Sequence, residues 1–321
     1  MSKQIVLKLD KVVKIFGKKI VLQNLSLEVE KGEILGIIGM SGSGKTTLLN
    51  TMVGYYQPEA GDILIRGDGN FKSVVRNHKS IRGLIGFAPQ SPSFYPKLTV
   101  FENLDHYAAL YGLPVSIRRA NINYLLKLTG IEDSRHILAQ YLSGGMQKRL
   151  GIACAMIHKP KILMLDEPTA DLDPILRRQT WHLIKKINEQ GTTVIMASHF
   201  LTELETLCTK IAVLYNGRIK QVGSSAELKS HYNTNEEIIF ESIPGKYAII
   251  INKLKKEKIP ISKIVNKGHK VVIYTSKAEE VLHRLLHVLE VSKEKLLDVD
   301  VNKPSLSEVF ESMTKKGDKS V

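Results

Sequence analysis

Near the start of the chain, apolar and polar positions alternate. Ile5-Val6-Leu7-Lys8-Leu9 reads as one strand, and Val21 to Glu30, with Leu22, Leu25, Leu27 and Val29, as a second around a turn. The continuous run Ile34-Leu35-Gly36-Ile37-Ile38 predicts a buried strand, and Leu48, Leu49, Met52 and Val53 repeat at helical spacing after it. Ile63-Leu64-Ile65 follows the turn Gln57 to Asp62, residues 70–82 read as a basic, partly helical connection, and Leu84 to Ala88 is a further strand. Between residues 99 and 141 the period changes. Val100, Leu104, Tyr107, Ala108 and Leu110 share one helical face, and Ile122, Leu125, Leu126 and Leu128 another. Leu150 to Ile157 predicts an apolar helix, and Ile162 to Leu165 and Thr193 to Ala197 are buried strands. Beyond a polar stretch at 225–235, expected as a linker, strand and helix periods follow in the order βαββαβ: strands at 236–241, 261–265, 270–275 and 295–301, helices at 246–257 and 278–289.

With 321 residues, 43 % of them hydrophobic and 24 % charged, the chain suffices for one large domain and a small companion. No stretch approaches the ~18 consecutive apolar residues of a membrane helix. Met1 to Asp10 alternates apolar and charged residues without the apolar core of a signal peptide, so the expected site of action is cytoplasmic. Cys154 and Cys208 lie far apart with apolar helical neighbours, which predicts buried, reduced thiols rather than a disulfide or metal site. The formal charge is +14, mostly before residue 236; a phosphate-rich ligand, nucleic acid, an anionic membrane surface or a merely solvated surface all fit it.

The candidate chemistry sits at strand ends. Gly39-Met40-Ser41-Gly42-Ser43-Gly44-Lys45-Thr46, followed by Thr47, has the G-x-x-x-x-G-K-[ST] spacing at a strand-to-helix turn. Its glycines let backbone N–H groups surround a polyphosphate, Lys45 adds a charge for the outer phosphates, and the Thr46 hydroxyl can reach Mg²⁺. Asp166 and Glu167 follow a buried strand, where an open α/β sheet places its chemistry. Asp166 can orient the metal and Glu167 can polarise an attacking water. His199 ends the next strand, and Gln90 ends another, with an amide able to reach a metal or water. Leu142-Ser143-Gly144-Gly145-Met146-Gln147 opens a helix, with Ser143 as N-cap and exposed glycine N–H groups forming a second anion cradle. One P-loop does not need two. Phe16, an aromatic before Gly17, can stack on an adenine or simply pack with Val12 and Val13.

In this order these residues resemble the ATP-binding cassette (ABC) ATPases over nearly all of residues 3–224. The LSGGxQ segment is the most specific part. The resemblance implies an α/β fold: a P-loop NTPase with a mostly parallel core sheet, an antiparallel β subdomain and an inserted helical subdomain at about 99–150. Residues 1–224 would be the nucleotide-binding domain, and 236–321 an accessory ferredoxin-like α+β domain. It implies that ATP and Mg²⁺ bind, with Phe16 on the adenine, Thr46, Gln90 and Asp166 at the metal, Glu167 as base, His199 as γ-phosphate sensor and Asp173 in a dimer-interface loop. Ser143, Gly144, Gly145 and Gln147 would close over the nucleotide held by a second subunit, expected to be identical. The tail, Pro304-Ser305-Leu306-Ser307-Glu308-Val309-Phe310, resembles the ending of ABC-2 type drug-resistance exporter ATPases. The implied partner is a separately encoded transmembrane permease at the inner face of the cell membrane, with no specific nucleic acid. DNA-handling relatives carry coiled coils or zinc-binding Cys pairs, and ribosome-associated ones two cassettes; neither pattern is present. A regulatory ATPase with a ligand-sensing C-terminal domain is the remaining alternative.

Overall fold

The computed structural model describes residues 4–67, 69–77, 81–232, 236–257, 259–302 and 306. It divides into two compact units, residues 1–224 and 225–321.

The first unit begins with a long hairpin, β1 (Ile5–Phe16) and β2 (Lys19–Glu30), with Leu7 opposite Val29 and Leu9 opposite Leu27. The first strand runs past the expected end at Leu9. A bulge at Lys11, whose φ is +50°, breaks the period-two pattern, and Val12 re-enters the core in a shifted register. β1 also pairs with β4 (Ala60–Arg66), and β5 (Phe71–Ser73) completes this antiparallel sheet, in the order β2-β1-β4-β5. Within the basic stretch 70–82, β5 and a 3₁₀ turn at Arg82–Leu84 are seen; residues 78–80 lie outside the described residues.

The second sheet carries the site. Its order is β10-β9-β3-β8-β7-β6, formed by β3 (Ile34–Ile38), β6 (Ile85–Ala88), β7 (Ile162–Asp166), β8 (Thr193–Ala197), β9 (Lys210–Tyr215) and β10 (Arg218–Gly223). All pairings are parallel except that of β10 with β9. Every residue of β3, β7 and β8 is buried, so their apolar runs lack alternation. Parallel pairing brings the C-terminal ends of β3, β6, β7 and β8 to one edge of the sheet, and Gly39, Gln90, Glu167 and His199 all lie within two residues of those ends.

Helix α1 (Lys45–Met52) leaves β3 through the P-loop. Between β6 and β7 lies the inserted helical block, α2 (Val100–Leu110), α3 (Val115–Thr129) and α4 (Gly144–Met156). Thr99 and Glu102 form a reciprocal capping box on α2, and Gly130, at φ +64°, ends α3. Helices α5 (Pro174–Glu189) and α6 (Leu201–Leu207) flank β8 in the chain. Both cysteines are free, and burial pushes both thiols well above their ordinary pKa.

In the second unit, the segment expected as a linker begins with helix α7 (Ser225–Tyr232). Glu227 in its first turn complements the helix dipole and Leu228 is fully buried, an anchor that a polar composition conceals. Then come β11 (Glu236–Ile243), α8 (Tyr247–Lys256), β12 (Ile261–Asn266), β13 (Val271–Thr275), α9 (Ala278–Val291) and β14 (Lys295–Asn302). The sheet is antiparallel in the order β12-β13-β11-β14, over a core that includes Ile238, Phe240, Ile250, Ile273, Val281 and Leu285. This is the expected ferredoxin-like order. Of the tail motif, only Leu306, which is buried, falls among the described residues.

Candidate active site

The loop between β3 and α1 is shaped by its glycines. Gly42 and Gly44 have φ of +76° and +105°, and a Cβ on Gly39 would stand 2.3 Å from Ser43 Oγ and 2.6 Å from the Leu214 carbonyl oxygen. Lys45 folds back over this loop, its ammonium donating to the carbonyls of Gly39 (2.8 Å) and Met40 (3.3 Å) and standing 4.0 Å from Glu167 Oε1. Burial lowers its pKa, and the charges of Glu167 and Asp166 oppose that shift. The loop holds its cation against its own carbonyls, which an entering phosphate would replace.

Asp166 ends β7, almost fully buried. Its carboxyl lies above the ordinary range chiefly through burial, despite a hydrogen bond with Thr46. Its Oδ1 has no hydrogen-bond partner among the described residues, nor has the buried hydroxyl of Ser43. A buried carboxylate oxygen without a partner, beside a threonine hydroxyl, is a donor set suited to a hard cation. Among the described residues no group of three or more His, Cys, Asp and Glu could hold a metal ion.

Glu167 adopts φ +50°, a left-handed conformation costly for a non-glycine residue and concentrated at functional sites. Its N–H donates to the Ala197 carbonyl (2.9 Å), which ties the ends of β7 and β8. The carboxylate accepts from His199 Nδ1 at 2.8 Å and from the His199 backbone N–H at 3.4 Å. Because a carboxylate only accepts, Nδ1 carries the proton and Nε2 is the free face of the ring. The imidazole is half exposed and meets Phe200 in a tilted contact (centroids 4.0 Å), and the Phe200 ring also lies 4.2 Å from the Arg177 guanidinium.

The P-loop, Gln90, Glu167 and His199 together line one cleft of about 650 Å³, joined by Lys19 and Val21 from the start of β2. Phe16 is not in that lining. It pairs across the hairpin with Lys19, is 42 % exposed, and meets Tyr56 edge-on at 5.1 Å with the Lys14 ammonium 5.0 Å from its ring. The LSGGMQ residues are not in the lining either. Ser143 caps α4 by accepting from the Met146 N–H, and Gln147 Nε2 donates to the Leu142 carbonyl. A Cβ on Gly145 would lie 3.0 Å from Leu176, whereas one on Gly144 would meet nothing within 4 Å among the described residues. Gly144 is therefore not required by packing inside this chain. Gly144 and Gln147 line a second cavity, of about 380 Å³, with Gln90, Asp166 and Asp171. Asp173 is the N-cap of α5 and accepts from the N–H groups of Ile175 and Leu176, both at 2.9 Å.

Sequence reasoning missed Lys148. Its ammonium donates to the Gln90 carbonyl at 2.8 Å, and burial lowers its pKa against the opposing charges of Asp171, Asp166 and Glu167. The only signal was its place directly after Gln147.

A parallel sheet with a P-loop, a carboxylate pair and a histidine at one edge, and a helical block inserted before the carboxylates, defines a nucleotide triphosphatase of the cassette type. The family profile described as ABC transporter matches residues 22–170. The chain is 29 % identical to the linearmycin resistance ATP-binding protein LnrL of Bacillus subtilis over 311 residues, 96 % of this chain and 98 % of that protein. With the Nod factor export ATP-binding protein I of Paraburkholderia xenovorans it shares 35 % over 219 residues, 68 % of this chain and 71 % of that one. Among solved structures, cbiO1 from Clostridium perfringens, part of the ABC transporter complex cbiONQ, superposes with a TM-score of 0.65 at 28 % identity, over 71 % of this chain and 92 % of that one. The protein belongs to the ABC transporter family. It is an ATP-binding subunit of that family, whose general activity is ATP hydrolysis.

Proposed function

We propose that the protein powers an ABC-2 type exporter, working as two identical copies that bind and hydrolyse ATP beneath a separately encoded permease at the inner face of the membrane. The observation that carries the hydrolytic part is the Glu167–His199 hydrogen bond at the edge of the P-loop cleft. Glu167 accepts a proton from the attacking water, and His199, held by its Nδ1–H bond to Glu167, faces the γ-phosphate with Nε2, which donates to a phosphate oxygen when the ring is the imidazolium. Lys45 exchanges its loop carbonyls for the outer phosphate oxygens, and the P-loop N–H groups cradle them. Thr46, Gln90 and Asp166 would hold Mg²⁺, which neutralises charge on the phosphates. Phe16 turns its ring to the adenine.

The Ser143–Gln147 segment does not line the chain's own P-loop cleft, and the open surface of Gly144 leaves room for the nucleotide of a second copy. In this reading Asp173 belongs to the loop along which the copies meet. Residues 1–224 form the nucleotide-binding domain in the same reading. Among the described residues no helix is long and apolar enough to cross a membrane, so the membrane-spanning part is assigned to the partner. The exporter assignment draws on relatives named for linearmycin resistance and Nod factor export. Its test is copurification of the tagged protein from detergent-solubilised native membranes. Recovery of a polytopic membrane protein supports the reading; recovery of ribosomes, nucleic acid or only soluble partners overturns it and leaves the ATPase assignment standing.

A further inference from the structure

Glu203, in the first turn of α6, is fully buried, 0 % exposed. A carboxylate taken out of water is costly unless it is well hydrogen-bonded. The bonds described for this one come from neutral donors on different elements. Oε1 accepts from the Thr169 hydroxyl and from the Trp181 indole Nε1–H at 2.6 Å, and Oε2 accepts from the Ser198 hydroxyl at 2.5 Å. Thr169 stands two residues after Glu167, Ser198 immediately precedes His199, and Trp181 lies within α5. The Ser198 oxygen in turn accepts the Phe200 N–H at 3.1 Å, which fixes the backbone on the far side of His199.

One carboxylate thus staples the loop that bears Glu167 to the loop that bears His199, and both to the helix that Asp173 caps. Glu167 needs such a staple, because a non-glycine residue at φ +50° persists only where its surroundings over-determine it. An apolar side chain of similar volume would fill the space but hold neither loop. We propose that Glu203 is a positioning residue for hydrolysis, setting the Glu167–His199 geometry through Thr169 and Ser198 without touching nucleotide. The proposal rests on the catalytic reading of Glu167 and His199 given above.

Trp181 is the single tryptophan of the chain, so its indole N–H gives one resonance that reports the staple directly. The experiment compares full-length wild type, E203A and E203Q by the indole cross-peak of ¹⁵N-tryptophan-labelled protein, by binding of a fluorescent ATP analogue, and by steady-state ATPase kinetics. In E203A the indole proton should move upfield, kcat should fall about tenfold or more, and nucleotide affinity should stay within about twofold, the pattern of lost orientation rather than lost binding. E203Q keeps an amide oxygen for Thr169 and Trp181; its cross-peak should stay near the wild-type position and its kcat within about threefold.

A displaced indole signal with unchanged kcat in E203A overturns the proposal. So does a parallel loss of kcat and affinity in both variants, which is the mark of general packing. If E203A fails to fold, the double variant T169V with S198A removes two tethers and leaves the carboxylate in place. Wild-type turnover in that variant overturns the proposal equally. Failure of the underlying reading is separate: E167Q hydrolysing at the wild-type rate removes Glu167 from the chemistry, whatever the indole signal shows.

Discussion

Glu167 combines a strained backbone, near-complete burial and a hydrogen bond from His199, and its neutral isostere keeps the shape while removing the proton acceptor. E167Q should therefore bind ATP as wild type does and lose turnover by about a hundredfold or more, measured by phosphate release beside a nucleotide-binding titration. Full hydrolysis in E167Q would remove it from the mechanism. Lys45 differs in kind. Its ammonium is held by the Gly39 and Met40 carbonyls, so K45A leaves the P-loop without its cation. That variant should lose about tenfold or more in ATP affinity; unchanged binding with slowed turnover would move Lys45 from binding to chemistry alone. These residues were legible because their motifs are contiguous. Lys148 and Glu203 were not, because their partners lie 58 residues away at Gln90 and 34 away at Thr169, and no local spacing announces a bond across such a distance.

At the scale of elements, the inserted helices are fastened to the core sheet at His158, just beyond α4. Its Nε2–H donates to the Ile85 carbonyl on β6 at 3.0 Å, and its ring stacks on Tyr111, just beyond α2, at 3.6 Å. Burial, with Arg82 nearby, pushes its pKa down to about 4, from an ordinary 6.5. The neutral ring is thus favoured by folding. Between pH 6.5 and 4 the unfolded chain binds the extra proton, and the stability His158 contributes is complete above that window and lost as pH falls through it. Lowering pH from 7 to 5 should cost about 2 kcal/mol from this group. Urea titrations of wild type and of H158F, which keeps a ring to stack, should show a shallower dependence of stability on pH in H158F between pH 7 and 5, and an unaltered slope would place the sensitivity elsewhere. Other elements show where pattern reading stops. The buried runs of β3, β7 and β8 were plain from their uninterrupted apolar residues, whereas β1 outran its expected end because the bulge at Lys11 shifts the register, and α7 was hidden by a polar composition around Leu228.

Across the whole molecule, the proposed dimer would draw on two separate parts of each chain. The P-loop cleft holds Lys45, Glu167 and His199, while Gly144 opens the first turn of α4 in a second cavity that shares Gln90 with it, where a Cβ would meet nothing within 4 Å among the described residues. Helix α4 begins behind the Ser143 cap, and in the proposed reading the anion at its N-terminus belongs to another copy turned head to tail. Two equivalent nucleotides would then be buried between two identical surfaces, and blocking hydrolysis should trap that state. E167Q with MgATP should sediment at twice the monomer mass and return to the monomer mass without nucleotide. G144D adds a side chain whose Cβ meets nothing within 4 Å among the described residues, and a negative charge that in the proposed dimer faces the second copy's phosphates. It should fold with wild-type melting temperature, bind ATP in its own P-loop, and remain monomeric with MgATP even when combined with E167Q. Dimerisation of that double variant would show that α4 does not close over nucleotide, and would return Gly144 to a role within its own subunit.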